Sequence, residues 1–139
     1  VYISGKKLCG ILTEMSTEAE SGRVQYIIVG IGLNVNHSKA DFPDELSNIA
    51  TSLRIECGKT FSRAQLAAAI ANELDRLIRD GYLQHNRPRL IEEYRSRLFM
   101  LGRQITVHHA SGTFEAVALD ADEQAQLIIK MPDGQLKTV

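Results

Sequence analysis

From Tyr26 to Asn36 the chain reads Tyr-Ile-Ile-Val-Gly-Ile-Gly-Leu-Asn-Val-Asn. Ile27, Ile28 and Val29 form an unbroken apolar run, the pattern of a strand covered on both faces. Gly30 and Gly32 then remove two side chains from alternate positions, where another group can approach the backbone closely. Asn34 and Asn36 continue the same spacing, so a regular strand would put all four residues on one face. Two bare positions followed by two amides describe a floor for a flat ligand with hydrogen-bonding groups at its end. The same spacing also fits a buried strand ending in an Asn-rich turn. A dinucleotide fingerprint fits poorly, because Val35 stands where the third glycine would be and no helical pattern follows.

Working back toward the start, Val1 to Ile3 reads as a strand end and Ser4-Gly5-Lys6 as a tight turn. Lys7 to Glu14 is a further strand with an isolated glycine at Gly10. The polar stretch Thr17 to Arg23 closes a hairpin onto Val24 to Asn34. Three antiparallel strands are expected. Lys7 at the entry of an apolar strand fits a solvated edge residue, or a cation placed beside the glycine floor to neutralise a carboxylate or phosphate.

The whole chain sets bounds on these readings. Its 139 residues suit one ordinary domain, or a medium and a very small one. Apolar content of 44% and charged content of 24% are those of a packed globular protein. With a net charge of −1 and no dense basic patch, nucleic-acid contacts from this chain are not expected. Cys9 and Cys57 lack a CxxC or zinc-type setting, which suggests free thiols in a reducing cytosol. No membrane span or signal peptide is expected, so the cytoplasm is the expected location. The chain opens on Val1-Tyr2-Ile3 as though in mid-strand, the expected look of a segment of something longer. His108 and His109 are adjacent and so face opposite sides of a strand, while His37 and His85 have no partner at ligand spacing. No metal site and no Ser-His-Asp or Cys-His set is therefore read.

Two motifs together are specific. Lys6-Lys7-Leu8-Cys9-Gly10-Ile11-Leu12-Thr13-Glu14, then a short hairpin, then Val29-Gly30-Ile31-Gly32-Leu33-Asn34-Val35-Asn36 resembles the central catalytic domain of the bacterial biotin protein ligases. The resemblance implies ATP-dependent activation of biotin to biotinyl-5'-AMP and its transfer to a lysine of a biotin carboxyl carrier protein. Magnesium would accompany the ATP. It also implies that Lys7 lies near the biotin carboxylate and the adenylate phosphate, neutralising charge as the mixed anhydride forms. Gly10 and Leu12 match positions at the biotin tail and ring, Gly30, Ile31 and Gly32 the strand against biotin, and Leu33 and Asn34 positions beside the adenylate. Strict alternation, however, puts Lys7 and Leu12 on opposite faces, so both reach one ligand only through a bulge or at the strand's edge. The family's Arg- and Gly-rich biotin loop lies upstream of the matching region, and a homodimer through the sheet edge is plausible only by resemblance. A non-catalytic biotin- or adenylate-binding or dimerisation module is the alternative function, and a lipoate-ligase reading shares the fold but fits the double-glycine Asn motif less well.

Beyond the floor, Asp41-Phe42-Pro43 marks a loop, Phe42-Pro43 followed by Leu46 and then Ala50-Thr51-Ser52-Leu53 again resembles the family, and residues 37–48 are expected to be among the most mobile without ligand. Ser62 and Gln65 form a capping box, with Phe61 and Leu66 as staple, opening a helix whose apolar face is Leu66, Ile70, Leu74, Leu77 and Ile78. Gly81 is its expected stop. A second helix is expected from about Pro88, with Leu90, Ile91, Tyr94 and Leu98 inward, ending by Gly102. Its arginines (Arg87, Arg89, Arg95, Arg97) alternate with Glu92 and Glu93 as a solvated face does. From Arg103 the period becomes two: strands over Gln104–His109, Thr113–Leu119, Leu127–Met131 and Leu136–Val139, with turns at Ser111-Gly112 and Pro132-Asp133-Gly134. The expected fold class is α+β: an antiparallel or mixed sheet with packed helices of the class II synthetase and biotin ligase kind over residues 1–101, then a small SH3-like β-barrel over 102–139. Within that barrel, Ala118 replaces a usual family glycine, and Gln124-Ala125-Gln126 stands where a Gly-containing turn is common.

Overall fold

The two glycine-bearing strands pair along their whole length. A computed structural model describes residues 1–83, 86–109 and 112–139. In it β1 (Tyr2–Ile3) pairs with β2 (Lys6–Lys7), and β3 (Cys9–Thr17) pairs with β4 (Val24–Leu33), both antiparallel. The expected three-stranded sheet is thus two separate two-stranded ones. Leu8 is the reason. Its N–H and that of Cys9 both donate to the Val1 carbonyl (2.9 and 3.2 Å), its own carbonyl accepts from Asn34 N–H (3.0 Å), and its side chain is buried. One apolar residue turned into the core therefore interrupts the alternation between Lys7 and Cys9.

After β4 come two single 3-10 turns, Lys39–Asp41 and Asp44–Leu46. The hydroxyl and N–H of Ser38 donate to Asp41 (2.7 and 2.6 Å), and these bonds hold the Asp41 carboxyl below its ordinary range. Helix α1 (Leu53–Cys57) is capped by Ser52, whose Oγ accepts from Ile55 N–H, and closes on Gly58 at φ +69°. Leu8, Cys9, Val35, Thr51 and Ser52 are the buried residues here.

Helix α2 (Arg63–Leu77) starts where its cap is expected: Ser62 Oγ accepts from Gln65 N–H at 3.3 Å, and Ser62 O from Leu66 N–H. Replacing Ser62 by Ala should lower stability by about 1 kcal/mol, read as a reduced denaturant midpoint with ligand binding unchanged. The helix does not stop at Gly81. It passes into a π-helical turn over Ile78–Leu83, so the glycine is carried inside a widened turn. Within α2 lies the point, Ala69/Ile70, that divides the chain into two compact units.

In the second unit α3 (Arg87–Ser96) has Asn86 at its N-cap and Pro88 in its first turn. Leu90, Ile91 and Leu98 are half-buried, whereas Tyr94, expected inward, is 44% exposed. Arg95 Nε donates to the Ala121 carbonyl at 2.6 Å and pairs with Asp120 at 3.3 Å. The four expected strands are present as β5 (Gln104–His109), β6 (Gly112–Ala121), β7 (Leu127–Lys130) and β8 (Leu136–Thr138), all antiparallel in that order. They form an open sheet among the described residues; no pairing of β8 with β5 closes it into a barrel. Ala116, Ala118, Ala121 and Ile129 make its core. Ala118 is fully buried beside a register shift in β6, where its N–H donates to the Arg103 carbonyl. Ala125 takes a positive φ of 64° in the turn where a glycine is common, and Asp122 Oδ1 ties that turn by accepting from the N–H groups of Gln124 and Gln126. Gly134 at φ +87° makes the next turn. Ser111, half of another turn signal, and His85 lie outside the described residues.

Candidate functional site

Register builds the floor. Gly10 lies opposite Gly32, and Leu12 opposite Gly30. Directly paired residues share a face, so Gly10, Leu12, Gly30 and Gly32 form one patch with three side chains missing. Ile31 and Leu33, opposite Ile11 and Cys9, belong to the other face. A Cβ on Gly10 would stand 3.8 Å from Lys7 Cε and 3.9 Å from Lys7 Nζ. The Lys7 side chain therefore lies over the glycine patch, with its residue exposed to solvent. Leu8 accounts for this placement: breaking the alternation brings Lys7 to the same side as Leu12. The conflict that strict alternation raises between those two residues is thereby removed.

Beyond Gly32 the regular strand ends at Leu33, and the two amides turn to the chain itself. Asn34 Nδ2 donates to the Thr51 carbonyl at 3.0 Å. Asn36 makes a two-point contact with Phe61, its Nδ2 donating to the carbonyl and its Oδ1 accepting from the N–H, both at 2.9 Å. The spacing places the glycines as expected, while the amides pin the strand's end to α1 and to the entry of α2.

The resemblance takes in Ala50-Thr51-Ser52-Leu53, but sequence reasoning did not foresee that this stretch holds Lys7. Its N–H donates to the Ile49 carbonyl at 2.7 Å, and its carbonyl accepts from Thr51 N–H at 3.0 Å, forming a parallel bridge to Ala50. Two consecutive hydroxyl residues, Thr51-Ser52, ahead of apolar Leu53 were the available signal. Both are fully buried and bonded: Ser52 Oγ donates to the His37 carbonyl and Thr51 Oγ1 to Glu56, each at 2.6 Å.

The apolar run beside the floor is open within this chain. Ile27, Ile28 and Val29, expected to be covered on both faces, are 57%, 53% and 42% exposed. On the Lys7 face Leu12 and Tyr26 are also exposed, as are Ile11 and Met15 on the other. A lone two-stranded ribbon carries no layer of its own to cover either face.

The arrangement offers an ammonium above a bare β-surface with an apolar surround, suited to a flat acyl ligand whose end carries negative charge. Over 134 residues the chain is 37% identical to the bifunctional ligase/repressor BirA of Bacillus subtilis (strain 168), and equally to that of Bacillus spizizenii. Its fold is that of a biotin protein ligase from Aquifex aeolicus in complex with biotin and ATP, with a TM-score of 0.80 at 22% identity. This chain is homologous to part of the bacterial biotin protein ligases. The BirA matches take in 96% of this chain and 40% of each relative, so the ligase homologue spans well under half of their length. The Aquifex aeolicus match takes in 99% of this chain and 54% of that one; the apo structure of that ligase gives a TM-score of 0.73 at the same identity, with 57% of its chain covered. No protein-family model matches the chain.

Proposed function

We propose that this chain supplies the lysine-bearing, glycine-floored part of a biotin protein ligase site. The observation that carries the reading is the Lys7 ammonium, 3.9 Å from the Cβ position of Gly10 on the face shared with Gly30 and Gly32. In the proposed reaction a biotin carboxylate oxygen attacks the α-phosphorus of ATP. Pyrophosphate leaves and biotinyl-5'-AMP remains. The amine of a carrier-protein lysine then attacks the activated carbonyl, AMP departs, and the new amide loses a proton to solvent. Lys7 would bind the carboxylate and hold a positive charge where negative charge concentrates during both steps. Gly10, Leu12, Gly30 and Gly32 would lie against biotin, with Ile31 backing that strand, and Leu33 and Asn34 would stand beside the adenylate.

Among the described residues no three His, Cys, Asp or Glu side chains gather as a metal-ligand set. Magnesium would accompany ATP and offset the charge of its phosphates. The exposed Ile27–Val29 run supports a further part of this reading: the remaining length of the ligase covers that ribbon in the intact protein. The SH3-like character of residues 102–139, the 1–101 catalytic part, a homodimer and a cytoplasmic setting belong to the same proposal. No described helix is long and apolar enough to cross a membrane.

The test is an assay on the intact protein with biotin, ATP and a biotin carboxyl carrier protein, following pyrophosphate release and carrier mass. Both should rise together. Binding of biotinyl-5'-AMP without either product would instead favour a non-catalytic module.

A further inference from the structure

Helix α1 is secured without Glu56. Ser52 caps its start, Gly58 closes its end, and Leu53 and Arg54 N–H groups donate to the carbonyls of Asn34 and Val35. Yet both oxygens of the half-buried Glu56 are engaged outside the helix. Oε1 accepts from Thr51 Oγ1 at 2.6 Å, and Oε2 accepts from Ser4 Oγ at 3.2 Å. Those two hydroxyls belong to the two segments that flank Lys7. Thr51 donates its N–H to the Lys7 carbonyl. Ser4, at a positive φ of 51°, turns β1 into β2, the strand that contains Lys7. A single carboxylate thus spans from one support of Lys7 to the other.

We propose that Glu56 is a positioning residue for Lys7: it clamps the Ser4 turn to the Thr51 bridge and so fixes the backbone from which the ammonium reaches over Gly10. The clamp acts through its reach and its two acceptor sites. It does not touch the proposed ligand. For its catalytic consequence the inference rests on the ligase reading; for the placement of Lys7 it rests on the hydrogen bonds alone. A glutamine keeps the length, accepting from one hydroxyl and donating to the oxygen of the other, whereas an alanine keeps neither contact.

The experiment uses the intact protein as wild type, Glu56→Ala, Glu56→Gln and Thr51→Val. Two readouts are taken: the rate of Lys7 acetylation by acetic anhydride, normalised to Lys130 by mass spectrometry, and kcat and KM for biotinyl-5'-AMP formation. Glu56→Ala should alter the Lys7 labelling ratio and lower kcat by about tenfold, more than it changes KM for biotin, because a small misplacement of a reacting group weighs on the transition state. Glu56→Gln should restore both to near wild type. Thr51→Val, which removes one donor and keeps the shape, should repeat the alanine result even where Glu56→Ala is too poorly folded to assay. Wild-type labelling and kcat in folded Glu56→Ala overturn the clamp, as does a glutamine variant as impaired as the alanine. A wild type that forms no adenylate but whose Lys7 labelling still depends on Glu56 supports the clamp and sinks the ligase reading instead.

Discussion

Lys7→Ala should lower the rate of biotinyl-5'-AMP formation by about 10²–10³-fold, the usual loss when one preorganised electrostatic contact to developing charge is removed. Its thermal midpoint should stay close to wild type. The lysine's structural contacts are made by its backbone, through Ile49 and Thr51, and alanine retains both. Its side chain is exposed, and such substitutions usually change stability by less than about 0.5 kcal/mol. Lys6 is the matched control. It is the next residue, carries the same charge, and spends its ammonium on the Ser47 carbonyl at 2.9 Å. Lys6→Ala should keep its adenylation rate. Rapid-quench measurement of the first turnover separates the two variants; equal rates would remove Lys7 from the chemistry.

The second large effect belongs to the floor. A Cβ at Gly32 would lie 3.7 Å from the Gly10 carbonyl oxygen, ordinary van der Waals contact, and the backbone there is extended. Gly32→Ala therefore meets no strain, and relief of the glycine's entropy in a strand should leave the protein as stable or about 0.5 kcal/mol more so. A ligand lying flat on that surface meets the methyl directly. Intruding one group into a close contact costs about 1–3 kcal/mol, so biotin affinity should fall about tenfold to a hundredfold. Calorimetric titration alongside thermal unfolding reads both quantities. Weaker binding with unchanged or raised stability is the signature of a floor; equal affinity would mean that the ligand lies elsewhere.

Much of the local structure was legible because it depends on neighbours in sequence. Ser62 announces its helix since a cap is satisfied within three residues, and β5 to β8 follow alternation and turn chemistry closely, β5 to the residue. The glycine patch also follows from period two, once the hairpin sets its register. What failed depended on distant partners. Leu8 breaks the first strand because its N–H is taken by the Val1 carbonyl and its carbonyl by the Asn34 N–H, a pairing no local pattern reveals. The same break puts Lys7 over Gly10, so the feature that upset the expected sheet is the one that assembles the candidate site. Asn34 and Asn36 share the spacing of the glycines, but their contacts with the Thr51 and Phe61 carbonyls are long-range and spacing does not reveal them. Gly81 was read as a stop, but a π turn admits it without ending the winding. Ile27 to Val29 read as doubly covered, while in this chain both faces of their ribbon stand open.

The most direct measurement is nuclear magnetic resonance of the intact protein with ¹⁵N-labelled lysine and glycine, titrated with biotinyl-5'-AMP. The account predicts that the Lys7 ammonium and the Gly10, Gly30 and Gly32 amides shift together and saturate at one ligand concentration, while the Lys6 ammonium stays in place. Saturation with those four signals unmoved would contradict it.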